Sequence, residues 1–196
     1  MRTKHVLLTG KPGIGKSTIC KKVASMLNSK NYKVEGFYTE EVRRTGQGRV
    51  GFDVVPISDA DNRSPLARVT HVLQPHQYTS HRIGNYNVFV DDFERVALPL
   101  LDSNSDVLVI DEIGKMEMFS MKFYEAVSNI FLKEDSKKIC VLACIPITNN
   151  VSPRFLTLLR ELRGHGACKL FEVSYENRDQ LPQEIVELIS EIVGDN

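Results

Sequence analysis

The segment from His5 to Lys30 constrains the fold more than any other part of the chain. An apolar run, His5-Val6-Leu7-Leu8-Thr9, leads into a Gly-rich turn from Gly10 to Gly15. Ile19, Val23, Met26 and Leu27 then recur at i, i+4, i+7 and i+8, one face of a helix that ends near Asn28 to Lys30. Strand, loop and helix in about thirty residues are the opening of a βαβ unit. The loop reads Gly10-Lys11-Pro12-Gly13-Ile14-Gly15-Lys16-Ser17, a complete G-x-x-x-x-G-K-S pattern. Its glycines let the backbone turn tightly and bring N–H groups onto phosphate oxygens. The helix that follows aims its N–H groups and positive dipole end at the same anion. A chance match in a chain of this length is expected on the order of once in a hundred chains, and here the flanking strand and helix are also in place.

The rest of the chain continues the βα rhythm after an interruption. Val107-Leu108-Val109-Ile110 is a continuous apolar run, as expected of a strand covered on both faces, and Ile139 to Ile145 is another. Helical patterns cover Asp91–Leu101, Ser120–Leu132, Pro153–Arg163 and Pro182–Val193, and Lys169–Ser174 reads as a strand. From Lys33 to Val90 no helix is predicted. Strands are expected at 34–39, 49–57, 66–73 and 86–90, with a turn at Thr45-Gly46-Gln47-Gly48 and a polar, turn-rich stretch from Ser58 to Pro65. The expected fold is therefore α/β, a mainly parallel sheet flanked by helices, with an antiparallel β insertion around residues 40–85. One domain over residues 1–196 suits the length.

The run 107–110 ends in Asp111-Glu112, a carboxylate pair where open α/β sheets place their ligands. Val109, Ile110, Asp111 and Glu112 thus join residues 10–18 (Gly10 through Thr18) as nucleotide-site candidates. Lys16 adds a point charge on the β- and γ-phosphates. The Ser17 hydroxyl and the Asp111 carboxylate are candidates to hold Mg²⁺. Glu112 is positioned to orient or deprotonate an attacking water. That adjacent glutamate favours water over a second substrate as the acceptor.

Charge and cysteine usage narrow the alternatives. Lys+Arg and Asp+Glu are 25 each, and this neutral balance argues against a dedicated nucleic-acid binder. Four cysteines without a C-x-x-C pair read as reduced thiols, not as a disulfide framework or a zinc site. No apolar run approaches the roughly 18 residues of a membrane span, and the N-terminus lacks a signal-peptide pattern. A soluble, cytoplasmic or nucleocytoplasmic monomer is expected. His71, His76 and His81 share no helical face, so a metal site there is not expected. The Thr39–Arg44 charges read as a solvated hairpin, with charges facing the γ-phosphate as the alternative. Arg43, Arg68, Arg82 and Arg163 are candidates for a charge on the transition state, and sequence does not choose among them. Asn177-Arg178 is a candidate base contact, with a helix cap as the alternative use of Asn177. No N-K-x-D guanine-reading motif occurs.

Four segments together carry a resemblance. Gly10–Ser17, Gly36-Phe37-Tyr38-Thr39-Glu40-Glu41-Val42-Arg43, Arg49-Val50-Gly51-Phe52-Asp53-Val54-Val55 and Val109-Ile110-Asp111-Glu112-Ile113-Gly114-Lys115-Met116-Glu117 resemble the cancer-related nucleoside-triphosphatase family. This is the eukaryotic branch of the thermophile nucleoside-triphosphatase group of P-loop NTPases. The similarity continues through Pro146 and Glu176-Asn177-Arg178 and is weakest from Ser58 to His81. It implies a RecA-like core with an additional strand and a catalytic glutamate, at Glu112. It also implies Mg²⁺-dependent hydrolysis of ATP, GTP, CTP and UTP to the diphosphate and phosphate. Ser17 stands where relatives carry Thr. The rival readings are a small-molecule or nucleotide kinase and a nucleic-acid-linked switch ATPase. With no arginine finger evident, turnover is expected at about 10⁻² s⁻¹ or below.

Overall fold

A computed structural model describes residues 2–133, 139–147 and 150–194. In chain order the elements are β1 (His5–Thr9), α1 (Lys16–Ser29), β2 (Val34–Arg44), β3 (Gly48–Pro56), β4 (Ser64–Val69), β5 (Arg82–Ile83) and β6 (Tyr86–Val88). There follow α2 (Val90–Leu101), β7 (Val107–Asp111), α3 (Met121–Leu132), β8 (Cys140–Cys144), α4 (Pro153–Gly164), β9 (Cys168–Glu172) and α5 (Leu181–Gly194). The described strands form one sheet in the order β5-β6-β4-β3-β2-β7-β8-β1-β9. Strands β2, β7, β8, β1 and β9 are parallel neighbours, and β3 to β6 continue the sheet antiparallel from the β2 edge. The expected α/β architecture is present, and the antiparallel segment extends the core sheet itself.

Alternation along each strand sorts the cores. Val107 and Val109 of β7, with Cys140, Leu142 and Cys144 of β8, face α1 and α5. Leu108 and Ile110, with Val141 and Ala143, face α2, α3 and α4. With both faces covered, apolar residues occupy every position of these short strands except the last residue of β7, Asp111. Asp111 has the parity of Val107 and Val109, so its carboxylate falls on the α1 side.

Several boundaries move for tertiary reasons. The strand expected at 34–39 runs to Arg44, because β3 pairs with it as far as Arg44↔Gly48. β4 starts at Ser64, inside the stretch read as turn-rich, because Ser64 pairs with Val54 and its hydroxyl accepts from Arg95 Nη2 at 2.8 Å. It stops at Val69, where Thr70–Val72 forms a 3₁₀ turn. The strand expected at 86–90 ends at Val88, because α2 begins at Val90.

One close approach sets the β2–β7 pairing. Gly36 has φ +121°, and a Cβ there would lie 2.0 Å from the Val109 carbonyl oxygen. Backbone cannot yield as a flexible side chain can. Gly36→Ala is therefore expected to lower the unfolding free energy by about 3 kcal/mol, read from a chemical denaturation midpoint. An alanine variant as stable as wild type would contradict this role.

Candidate active site

The loop after β1 adopts backbone open only to glycine at three points: φ is +147° at Gly10, +76° at Gly13 and +117° at Gly15. At Gly10 a Cβ would also meet the Val173 carbonyl oxygen at 2.7 Å. α1 begins at Lys16 with Gly15 as its cap residue, no side-chain cap and no acidic residue in its first turn. The first amides of a helix have no intrahelical acceptor, so an uncapped amino end next to a Gly-rich turn is an anion site. Lys16 Nζ lies across the loop and donates to the Gly10 carbonyl at 3.0 Å and the Lys11 carbonyl at 3.5 Å.

β7 supplies the opposite wall. β8 lies between β1 and β7, which sets the loop and the carboxylates apart at one end of the sheet. Asp111 is 1% exposed and its Oδ2 has no hydrogen-bond donor among the described residues. Burial pushes its carboxyl above the usual range, against the opposing effects of the Cys144 thiol, the Ser17 hydroxyl and the Lys16 charge. An orphaned buried carboxylate oxygen beside a hydroxyl is an oxygen donor set that suits a hard cation, so these residues fit Mg²⁺. Glu112 follows across a cis peptide bond. Its carboxyl is pushed up by burial and then by Asp111, with Lys16 opposing.

A third carboxyl sits behind this pair. Glu117 is 4% exposed, in a short 3₁₀ turn. Burial, with Glu112 and Asp111 nearby, pushes its carboxyl up to about 8. Glu112 and Glu117 meet across Gly114, where an added Cβ would lie 2.8 Å from one carboxylate oxygen and 2.5 Å from the other. In the sequence, Glu117 stands out only within the segment that carries the family resemblance. An acidic residue on a short turn gives no local sign that it will be buried.

The turn after β9 completes the rim. Arg178 Nη1 donates to the Ile14 carbonyl at 3.4 Å, and its guanidinium lies over the exposed Tyr175 ring at 4.9 Å. Asn177 works within the turn. Its Oδ1 accepts from the Ser174 amide at 2.8 Å and its Nδ2 donates to the Glu172 carbonyl at 2.9 Å. α5 begins four residues later, so Asn177 is not its cap but the clasp that holds Tyr175 and Arg178 in place. Val109 and Ile110 are 1% and 0% exposed inside the sheet, so they support Asp111 and Glu112 from behind. Thr18 is exposed in the first turn of α1.

The arginines singled out in the sequence are held elsewhere. Arg68 pairs with Asp53 and donates to the Phe52 carbonyl at 2.7 Å. Arg82 donates to Thr70 Oγ1 at 2.9 Å, Arg163 to the Pro146 carbonyl, and Arg43 pairs with Glu41. The base of the β2–β3 hairpin is tied to α1, with Lys21 Nζ 3.3 Å from Glu40 Oε1 and 3.8 Å from the centre of the Tyr38 ring.

Comparison with known proteins supplies the family. A family profile described as NTPase matches residues 5–186. The chain belongs to this NTPase family. It is 41% identical over 191 residues to the human protein named cancer-related nucleoside-triphosphatase, spanning 93% of this chain and 95% of that one. Its fold matches the solution structure of a human cancer-related nucleoside triphosphatase with a TM-score of 0.76 at 40% identity, over 96% of this chain and 98% of that one. It also matches the crystal structure of THEP1 from the hyperthermophile Aquifex aeolicus, with a TM-score of 0.76 at 31% identity, over 94% and 98% of the two chains. The fold is that of the P-loop NTPases. Among the described residues no helix is long and apolar enough to cross a membrane.

The buried Glu117 carboxyl has a pH signature. Its pKa is raised on folding from 4.5 to about 8, so the folded state holds a proton that the unfolded state gives up in that interval. Its contribution to stability is full below pH 4.5 and is lost as pH rises through 8. Glu117→Gln has no such proton to lose. The unfolding free energy of wild type should therefore fall relative to that of the variant across this window. Parallel pH profiles of the two proteins would exclude the buried, protonated state.

Proposed function

We propose that the chain is a Mg²⁺-dependent nucleoside triphosphatase that converts ATP, GTP, CTP and UTP to the diphosphate and phosphate, slowly and with broad base preference. Residues 1–196 act as one catalytic domain. The observation that carries the reading is a carboxylate pair, Asp111-Glu112, at the same sheet end as an uncapped, glycine-turned helix start, with the Lys16 charge reaching both acids.

The amides of residues 10–18 and the Lys16 ammonium hold the triphosphate. Ser17 and Asp111 would hold Mg²⁺, which when bound neutralises charge on the β- and γ-phosphate oxygens. Glu112 accepts a hydrogen bond from the attacking water and takes its proton as the water oxygen bonds to the γ-phosphorus, while the bond from that phosphorus to the β,γ-bridging oxygen breaks and the diphosphate leaves. Protonated Glu117 keeps a second full charge away from Glu112, so Glu112 can stay ionised beside it. Phosphoryl transfer needs little else than position and charge, and these residues supply both.

Broad base preference follows from the rim. Tyr175 is 69% exposed and carries the Arg178 guanidinium on its ring. A planar stack accepts any base, because every base has a π-face and no edge is read by hydrogen bonds. Slow turnover follows from the arginines, since Arg43, Arg68, Arg82 and Arg163 all have other partners. A rate of about 10⁻² s⁻¹ or below is expected.

Phosphate release from each of the four triphosphates with Mg²⁺ tests the reading. Release from all four without any acceptor is expected. Glu112→Gln should lower kcat by about 100-fold or more with KM little changed, because the group lost acts on the water and not on the nucleotide. Release that appears only when a phosphoryl acceptor is added would establish a kinase instead. Arg178→Ala should raise KM for all four nucleotides by about tenfold, a loss of about 1.4 kcal/mol, with kcat nearly unchanged. A loss confined to one base would disprove the stacking role.

A further inference from the structure

Two thiols meet the Asp111 carboxylate in the interior. Ser17 and Cys20 are three residues apart on α1, so both face the end of β7. Cys144 is the last residue of β8 and shares the parity of Cys140 and Leu142, which turns it to the same side. Cys20 Sγ and Cys144 Sγ lie 3.5 Å apart. One ligand atom from each of Cys20, Asp111 and Cys144 lies within 4.8 Å of the others, and the three residues are 1%, 1% and 0% exposed. In a tetrahedral zinc site, bonds of about 2.3 Å to sulfur and about 2.1 Å to oxygen separate the ligand atoms by roughly 3.5–3.8 Å. The sulfur pair already has that spacing, and a carboxylate oxygen of Asp111 lies within 4.8 Å of both sulfurs.

We propose that Cys20, Cys144 and Asp111 form a binding site for a thiophilic divalent cation, zinc or cadmium, whose occupancy withdraws Asp111 from Ser17 and so inhibits the enzyme. The ligand set discriminates by softness. Thiolates select zinc and cadmium, whereas Mg²⁺ prefers oxygen and gains nothing from the two sulfurs. Binding is balanced by release of two protons, one from each thiol, and leaves a coordination position open to water. A cavity of about 330 Å³ between α1 and β2 borders the site, lined by Cys20 with Lys21, Tyr38, Ile57 and Val109. A soft cation here immobilises the carboxylate that the proposed reaction needs. Inhibition therefore rests on the nucleoside-triphosphatase reading, and binding does not.

Cadmium titration of the reduced, nucleotide-free protein separates the two. One cadmium per chain is expected, with ultraviolet cadmium–thiolate absorption of an intensity that corresponds to two thiolates and reverses with a chelator. Cys20→Ala and Cys144→Ala should each lower the affinity by about tenfold or more, and the double variant Cys140→Ala/Cys168→Ala should retain it. In the presence of excess Mg²⁺, zinc should suppress phosphate release by wild type and lose that effect in Cys20→Ala and Cys144→Ala. Absent absorption, an intensity for fewer than two thiolates in wild type, or a signal unchanged in both single variants would overturn the site. The wild-type intensity decides the matter even if a core variant fails to fold. Absorption as expected without zinc-sensitive release would overturn the inhibitory role alone. Absence of phosphate release under any condition would instead count against the triphosphatase reading.

Discussion

The uncapped amino end of α1, held against the carboxyl end of the parallel strands, is the interaction on which the rest of this molecule depends. A helix start with unpaired amides and no acidic neighbour is unfavourable in isolation and favourable only next to an anion. The chain sets up this arrangement with left-handed glycines that no other residue could replace without strain, and with the Val173 carbonyl just past β9 close enough to Gly10 to exclude any side chain. Everything that α1 presents inward follows from that anchoring: Lys16 over the loop, Ser17 toward Asp111, and Cys20 one turn deeper.

Facing this positive end is an unusual concentration of buried acid. Burial pushes Asp111, Glu112 and Glu117 toward their protonated forms, and the charge of Asp111 adds to the shift of the two glutamates. The arrangement is sustainable because the three are not equivalent. Lys16 favours ionisation of Asp111 and Glu112, while Glu117 keeps its proton at neutral pH. Burial thereby grades a run of carboxyls into different roles, which is how one environment supports both a charge and a neutral neighbour. It also makes the pocket attractive to cations, hard ones on the oxygen side and soft ones where Cys20 and Cys144 meet Asp111.

The antiparallel strands β3 to β6 cover the β2 edge of the parallel sheet. Asp53, only 9% exposed, holds Arg63 and Arg68, and Arg63 reaches on to Glu40, which pairs with Lys21 of α1. This chain of charges links the added strands to the phosphate-loop helix. It also explains why Arg68, plausible on sequence as a transition-state charge, is a structural residue.

The sequence by itself determined the local pieces: the loop at Gly10–Ser17, the apolar strands that end in Asp111-Glu112 or lead into the next helix, and the alternation of strands with helices. Each of these is encoded by spacing and residue type over fewer than twenty residues, where periodicity and backbone preference act directly. Only the tertiary structure decided what distant segments do to each other. Strand pairing moved the start of β4 to Ser64 and prolonged β2 to Arg44. Packing buried Glu117 and raised its pKa, turned the Asn177 amide inward as a clasp, and set Tyr175 beside Arg178. It also brought Cys20 within 3.5 Å of Cys144 across 124 residues of chain. Burial, dielectric and through-space contact are properties of the assembled fold, and no local pattern of residues encodes them.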